Sequence, residues 1–364
     1  MKTGSNLVFL IDTSGSMWGE DKLDLAKNSM HILVDSLGDK DIISIVTYSG
    51  SFETLCTGLN AVSDRNELHK KINMLVASGC TNGSAGINEA YRVAEQFKDK
   101  FSNSRIIMCS DGDLNIGTTS TSELEKLVDD NKKNGVYLTI LGFGSGNYKD
   151  NKMEALARRG NGNYYYIDCL REGYKVLSEN VTSTLVTIAD DVKFQLEFNP
   201  KYVKAYRKIG YEKRNLTNAE FKDDKVDGGD IGYNQSVTVV YEIIPADSDV
   251  NIPEENLKYQ TINTNNDYNE LATLKIRYKD HGETKSKQID YIIDNSNESK
   301  QDSIFSFIAD VVAFGMLIND SKYLNGYDIY TLMDSVLDIE SSDDDVNEFK
   351  ALLMLYSYIK IKNG

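Results

Sequence analysis

The chain has 364 residues, of which 40% are apolar and 26% charged, enough apolar material for a sizeable core and too much for wholesale disorder. Length alone points to about two or three domains. Against 40 Lys and Arg stand 56 Asp and Glu, a net charge of -16 at pH 7. A chain this acidic repels phosphate backbones and anionic lipid surfaces, and no basic patch reverses the sign, so the expectation is no nucleic-acid partner.

Residues 1–187 alternate short apolar runs with amphipathic segments, the pattern of an α/β domain with a doubly wound, mostly parallel, Rossmann-like sheet. Only five apolar residues, Leu7 to Ile11, precede Asp12, too few for a signal-peptide core. That continuous run reads as a strand buried on both faces. Leu23, Ala26, Met30, Leu33 and Leu37 follow at helical spacing, with Gly38 as a stop. A strand at 42–46 joins another at 52–55 through Ser49-Gly50-Ser51, short enough to imply an antiparallel hairpin. Helices are expected at 66–76, 84–97, 122–134, 152–159 and 173–187, and strands at 105–109, 136–141 and 163–167. The run Tyr164-Tyr165-Tyr166 belongs to a sheet edge.

From 188 to 295 the period changes to two: Val192 to Phe198 and Leu274 to Tyr278 alternate apolar with polar, and 237–244 is rich in β formers. These predict half-buried antiparallel strands in a β-sandwich-like module. The stretch 295–299 reads as a linker, and 296–364 as a helical segment with helices at 303–319, 329–339 and 346–360. The longest apolar stretch, Ile304 to Ile318, is interrupted by Asp310 and falls short of the roughly twenty residues of a membrane span, so no transmembrane segment is expected.

The chemistry concentrates at Asp12-Thr13-Ser14-Gly15-Ser16, immediately after the first apolar strand. Open α/β sheets bind ligands at the C-terminal ends of their strands, and Asp111 occupies the matching place after the strand at 105–109. If these two strands flank the switch point of the sheet, Asp12 and Asp111 come together. Two carboxylates that close repel unless a cation or a shared proton separates them. Neighbouring hydroxyls favour a hard divalent cation, Mg2+ or Ca2+.

On these residues the first part of the chain resembles a von Willebrand factor A domain. The resemblance implies a metal-ion-dependent adhesion site with Asp12, Ser14 and Ser16 on its first loop, Thr81 on its second and Asp111 on its third. It further implies that Ser14, Ser16 and often Thr81 touch the metal while the aspartates act largely through water. Neutral hydroxyl ligands leave the cation electrophilic, so an open position suits the Asp or Glu of a protein partner, completing an octahedron around Mg2+ or Mn2+. Asp113 either tunes the ligands or accepts a hydrogen bond in a tight turn. Met17 and Trp18 follow the metal loop. On its rim Trp18 is either a partner contact or, the favoured reading, packed against the neighbouring loop. Ile209-Gly210-Tyr211-Glu212, Asp230-Ile231-Gly232, Glu270 to Leu274 and Ala313 to Leu317 extend the resemblance to bacterial YfbK-like proteins. Such proteins commonly carry an export or lipoprotein signal in an N-terminal extension, a segment this sequence does not show, so a cell-surface or envelope location is implied by resemblance alone.

Other strings are weaker. Gly142-Phe143-Gly144-Ser145-Gly146 lacks the spacing of a dinucleotide fingerprint and reads as a plain loop. Asp223 to Gly228 has Lys225 where a calcium loop needs an oxygen ligand and reads as a solvated turn. Asp343-Asp344-Asp345 reads as the cap of the last helix. Cys56, Cys80, Cys109 and Cys169 show no CxxC spacing and read as small buried thiols, while His31, His69 and His281 lie outside metal-ligand spacing of one another. No GxSxG, HExxH or Walker lysine accompanies the site, so the expectation is a binding module with no catalytic residues. The alternatives are a hydrolase with Asp12 or Asp111 as base on metal-bound water, and a structural component of a surface assembly.

Overall fold

A computed structural model describes residues 4–80, 83–101, 103–112, 121–145, 150–179, 187–211, 215–226, 228–233, 235–251, 268–294, 303–324 and 326–363. The chain divides into two compact units, one of Met1–Phe194, Asn218–Val237 and Ile276–Ile289, the other of Gln195–Thr217, Thr238–Lys275 and Asp290–Gly364. The β segments expected at 188–295 are thus shared between the units.

The first unit is built on a six-stranded sheet of β1 (Ser5–Asp12), β2 (Ile42–Tyr48), β3 (Phe52–Asn60), β4 (Asn103–Ser110), β5 (Val136–Phe143) and β6 (Tyr164–Ile167), in the order β3-β2-β1-β4-β5-β6. All neighbours pair in parallel except β2 and β3, the expected antiparallel hairpin. The tyrosine run forms β6, at one edge.

Buried on both faces, β1 sends Leu7, Phe9 and Ile11 into one apolar cluster and Val8 and Leu10 into another. The first cluster is completed by α1 (Leu25–Ser36) and α2 (Arg65–Asn73), the second by α3 (Gly83–Glu95), α4 (Thr121–Lys133) and α5 (Asp150–Arg159). That double burial explains why β1 is a continuous apolar run where a one-sided strand would alternate. The helix expected at 173–187 appears as α6 (Leu170–Tyr174) continued by a π turn, Lys175–Glu179. Residues 180–186 lie outside the described residues, and Thr187 already belongs to a strand.

Close backbone approach decides one packing contact near the site. A Cβ on Gly86 of α3 would lie 2.6 Å from Cβ of Tyr48 and 3.0 Å from its Cγ. Gly86→Ala gains helix propensity but must push α3 off β2, and overpacking of this kind costs about 1–3 kcal/mol. A lowered urea midpoint is the expected result; a raised one would show that Tyr48 yields freely.

Strands β7 (Thr187–Phe198), β8 (Val203–Ile209), β9 (Gly229–Gly232), β10 (Val240–Pro245), β11 (Glu270–Asp280) and β12 (Lys287–Asp294) form sheets of order β12-β11-β7-β9 and β10-β8. The β7·β9 and β8·β10 pairs are antiparallel. Alternation along β7 predicts Phe194 inward and Lys193 outward. The structure reverses this: the Lys193 side chain is buried and Phe194 is 43% exposed. Between the pairs Ala189 with Ile231 and Val192 with Gly229, two residues of β7 face one of β9, and a further register shift lies between Thr187 and Ala189. These irregularities break the strict alternation of β7, and Asp191, Val192 and Lys193 are buried in succession.

The expected solvated turn at Asp223 is more anchored than predicted. Asp224 accepts from Arg277 Nη2 at 2.7 Å and from Ser286 Oγ, and the Asp223 carbonyl accepts from Lys193 Nζ at 2.8 Å.

In the second unit, helices α8 (Ser303–Ile318), α9 (Ile329–Leu337) and α10 (Asp344–Asn363) follow a short α7 (Asn218–Lys222) of the first unit. They enclose a cluster of Phe314, Ile329, Leu332, Val336, Phe349 and Leu353. Asp343 Oδ1 accepts from Asp345 N at 2.8 Å, the expected cap of α10. The linker predicted at 295–299 lies outside the described residues. Among the described residues, no helix is long and apolar enough to cross a membrane.

Candidate metal centre

Strand order brings the expected residues together. β1 lies between β2 and β4, so the sheet's strand order reverses there. Asp12 pairs with Tyr48 on one side, and Ile11 with Cys109 on the other, so Asp12 and Asp111 leave adjacent strands one and two residues beyond that pair. Asp12 and Ser14 are buried, while Ser16 is exposed.

The loop after β1 is held from several sides. Ser14 N donates to Asp12 Oδ1 at 2.9 Å, and the hydroxyls of Ser14 and Ser16 lie 3.0 Å apart. Thr13 N donates to the Tyr48 carbonyl at 2.9 Å, Ser78 N to the Thr13 carbonyl at 2.8 Å and Gly15 N to the Gly79 carbonyl at 2.9 Å. The last two bonds fasten Ser78 and Gly79 of the second loop against the first, and a Cβ on Gly15 would sit 3.2 Å from the Gly79 oxygen. Beyond β4, Gly112 takes φ +85 and donates to Ser110 Oγ at 3.2 Å, so the third loop turns directly after Asp111. Thr81 and Asp113 lie outside the described residues.

Met17 and Trp18 separate. Met17 is fully buried in the cluster under α1, not on the rim, because the 3-10 turn Gly15–Met17 folds its side chain inward. Trp18 is 81% exposed, so it is not packed against the neighbouring loop.

Burial dominates the electrostatics. Desolvation raises the Asp12 carboxyl to about 6, opposed by hydrogen bonds from Ser14 and assisted by the nearby Asp111 charge. Asp12 Oδ2 is buried and forms no hydrogen bond of ordinary geometry among the described residues, although the Tyr48 hydroxyl lies close. The Tyr48 hydroxyl, likewise without such a bond, is pushed upward by burial and then by the Asp12 charge.

Two side chains of the site escape sequence reasoning. Tyr48 falls between the strand expected at 42–46 and the turn at 49–51 and carries no signal of its own. Lys22 reads as a charge at the start of a helix, yet its Nζ lies 3.1 Å from Asp111 Oδ2 and 2.7 Å from the Ser16 carbonyl. No signal in the local pattern predicts a contact across 89 positions.

A buried carboxylate oxygen with no hydrogen bond of ordinary geometry among the described residues, two adjacent hydroxyls and an ammonium already drawn to the second carboxylate fit a bound cation. Among the described residues, no three His, Cys, Asp or Glu side chains converge as a metal cluster, so the donor set relies on hydroxyls. Elsewhere, His31 and His69, outside metal-ligand spacing of one another along the chain, meet across α1 and α2 with Nδ1 atoms 2.6 Å apart, and His69 Nε2 lies 3.0 Å from Asp35 Oδ1.

Residues 6–199 match the von Willebrand factor type A domain, and residues 183–359 match the C-terminal region described as "Uncharacterized protein YfbK, C-terminal". The chain belongs to the von Willebrand factor type A domain family. Among its relatives, YfbK of Escherichia coli (strain K12) is 39% identical over 324 residues, covering 88% of this chain and 56% of the relative. Human inter-alpha-trypsin inhibitor heavy chain H2 is 30% identical over 146 residues, covering 38% of this chain and 15% of that protein. The chain therefore spans little more than half the length of YfbK and a small part of the inhibitor chain. A solved von Willebrand factor type A protein from Catenulispora acidiphila aligns over 96% of this chain and 82% of its own, with a TM-score of 0.52 and 14% identity, a likeness of fold. Domains of this class commonly act in adhesion or protein interaction and often bind a divalent metal.

Proposed function

We propose that the chain is a metal-dependent protein-binding module in which Asp12, Ser14, Ser16, Thr81 and Asp111 hold Mg2+ or, alternatively, Mn2+ or Ca2+. Bound there, the cation supplies an open coordination position that takes an Asp or Glu carboxylate of a protein partner. The observation that carries this reading is the buried Asp12 Oδ2, without a hydrogen bond of ordinary geometry among the described residues, beside a second carboxylate and a pair of hydroxyls at the switch point of the sheet. Trp18, exposed one residue beyond the loop's 3-10 turn, offers a large apolar contact for the same partner. The net charge of -16 opposes an acidic partner at range, so the cation acts at contact, within a Debye length of about 8 Å. We assign no catalytic role, since the sequence holds no nucleophile or zinc-hydrolase motif beside the site.

Isothermal titration of the chain with MgCl2 and MnCl2 tests the metal assignment. Wild type is expected to bind one ion and Asp12→Ala none; equal binding by both refutes it. Capture of a partner that persists in EDTA from a still-folded protein would favour a purely structural metal.

A further inference from the structure

Lys22 occupies a seat built by three segments. The chain turns at Gly19, with φ +146, into the π turn Glu20–Asp24 that leads into α1. From this turn the Lys22 stem runs across Gly144, just beyond β5. A Cβ at Gly144 would lie 2.6 Å from Lys22 Cε, 2.8 Å from Cγ and 3.2 Å from Cδ, so the missing side chain is the channel the lysine fills. Gly144 also takes φ +83, a conformation open to glycine at little cost. The ammonium ends against Asp111 Oδ2 and the Ser16 carbonyl. Only 23% of the Lys22 side chain and 5% of the Asp111 side chain remain exposed. A surface lysine keeps its rotamers and its hydration; this one has given up much of both for two charge-assisted bonds at the edge of the metal centre.

We propose that Lys22 is a tethered monovalent counter-cation. It neutralises Asp111 while the divalent ion is away, and in doing so it lowers the affinity of the site for that ion. The inference rests on the metal assignment above. Asp12 and Asp111 face each other across a poorly hydrated site, and without positive charge their repulsion falls on the fold. Lys22 removes part of that cost from the metal-free state. When a divalent ion arrives, the ammonium is a like charge a few ångströms away in a medium that screens poorly. Linkage makes the two effects reciprocal: what Lys22 contributes to the metal-free protein it subtracts from the binding of the metal. The site thus stays assembled when empty and exchanges its ion.

Titration of the full chain with MgCl2 and MnCl2, paired with thermal melts in EDTA, tests this on wild type, Lys22→Met, Asp111→Asn and the double variant. Lys22→Met keeps the stem over Gly144 and removes the charge. It is expected to bind metal about tenfold more tightly, 1.4 kcal/mol, and to melt lower than wild type in EDTA. In an Asp111→Asn background the same substitution should leave the EDTA melt unchanged, a double-mutant cycle that isolates the pair. Should Lys22→Met fail to fold, Lys22→Gln, which keeps a donor for the Ser16 carbonyl, takes its place under the same expectations. Metal binding by wild type with equal or weaker binding by the variant overturns this inference and leaves the metal assignment standing. Binding by neither overturns both, and binding by the variant alone supports both.

Discussion

In EDTA, raising the pH from 4 to 8 is expected to cost the wild-type protein stability that Asp12→Asn does not lose, by up to about 3 kcal/mol for a shift of about two pH units. The folded-state carboxyl titrates at about 6, above the 3.8 of an unperturbed aspartate, because burial penalises its charged form. A raised carboxyl means that the folded state holds the proton more tightly than the unfolded one. Its contribution is therefore fully present below pH 3.8, falls as the pH rises, and is gone above about 6. Asparagine keeps the shape and an acceptor for Ser14 N without the charge, so at pH 8 the variant should be the more stable of the two in EDTA. Taking the difference between the two proteins at each pH cancels the other carboxylates that titrate near pH 4. Mg2+ at pH 8 should restore wild type, by RT ln(1 + [Mg2+]/Kd), and leave Asp12→Asn unmoved. A variant less stable than wild type at pH 8 in EDTA would mean that the buried carboxylate is already compensated, and the case for a cation would weaken.

Much of this arrangement is legible in the sequence because it depends on local chemistry. A central parallel strand has no solvent face, so β1 announces itself as an unbroken apolar run, and the strand ends then place Asp12 and Asp111. What is not legible depends on phase or on distant packing. Met17 and Trp18 are adjacent, yet one is buried and the other exposed, and a three-residue 3-10 turn is too short to carry a periodicity that would tell them apart. His31 and His69 meet because α1 packs on α2, which spacing rules within one segment cannot see. Lys22 is hidden for a different reason. A lysine at a helix start is ordinarily a hydrated charge, and only the absence of a side chain at Gly144, 122 positions away, gives its stem a path to Asp111. In the β region alternation identifies strands, but it cannot count the residues opposite one another, so neither the register shifts of β7 against β9 nor the reversal of the expected faces of Lys193 and Phe194 is visible in it.

That reversal creates the second large effect. The bulge places Asp191 at φ +55, and its carboxylate gathers three donors: Lys193 Nζ at 3.2 Å, Lys279 Nζ at 2.9 Å and Gly228 N at 2.6 Å. The Lys193 side chain is wholly buried, and its remaining bond goes to the Asp223 carbonyl. One carboxylate thus answers two ammonium groups, one of them with no route to water. Asp191→Asn tolerates the left-handed backbone, as asparagine does, and still accepts from Gly228, so it isolates the charge. Removing one partner of a buried ion pair costs about 3–5 kcal/mol, and a loss of that order in the urea unfolding free energy is expected. Lys279 keeps a hydrogen bond to the Asp224 carbonyl and partial exposure, so the greater part of the loss belongs to Lys193. Adding Lys193→Met should then recover most of it, because an apolar side chain of similar length fills the space without needing a counter-charge. If the double variant is as unstable as Asp191→Asn, the cost lies in the bulge and its hydrogen bonds, and the ion pair is incidental to holding β7 in this register.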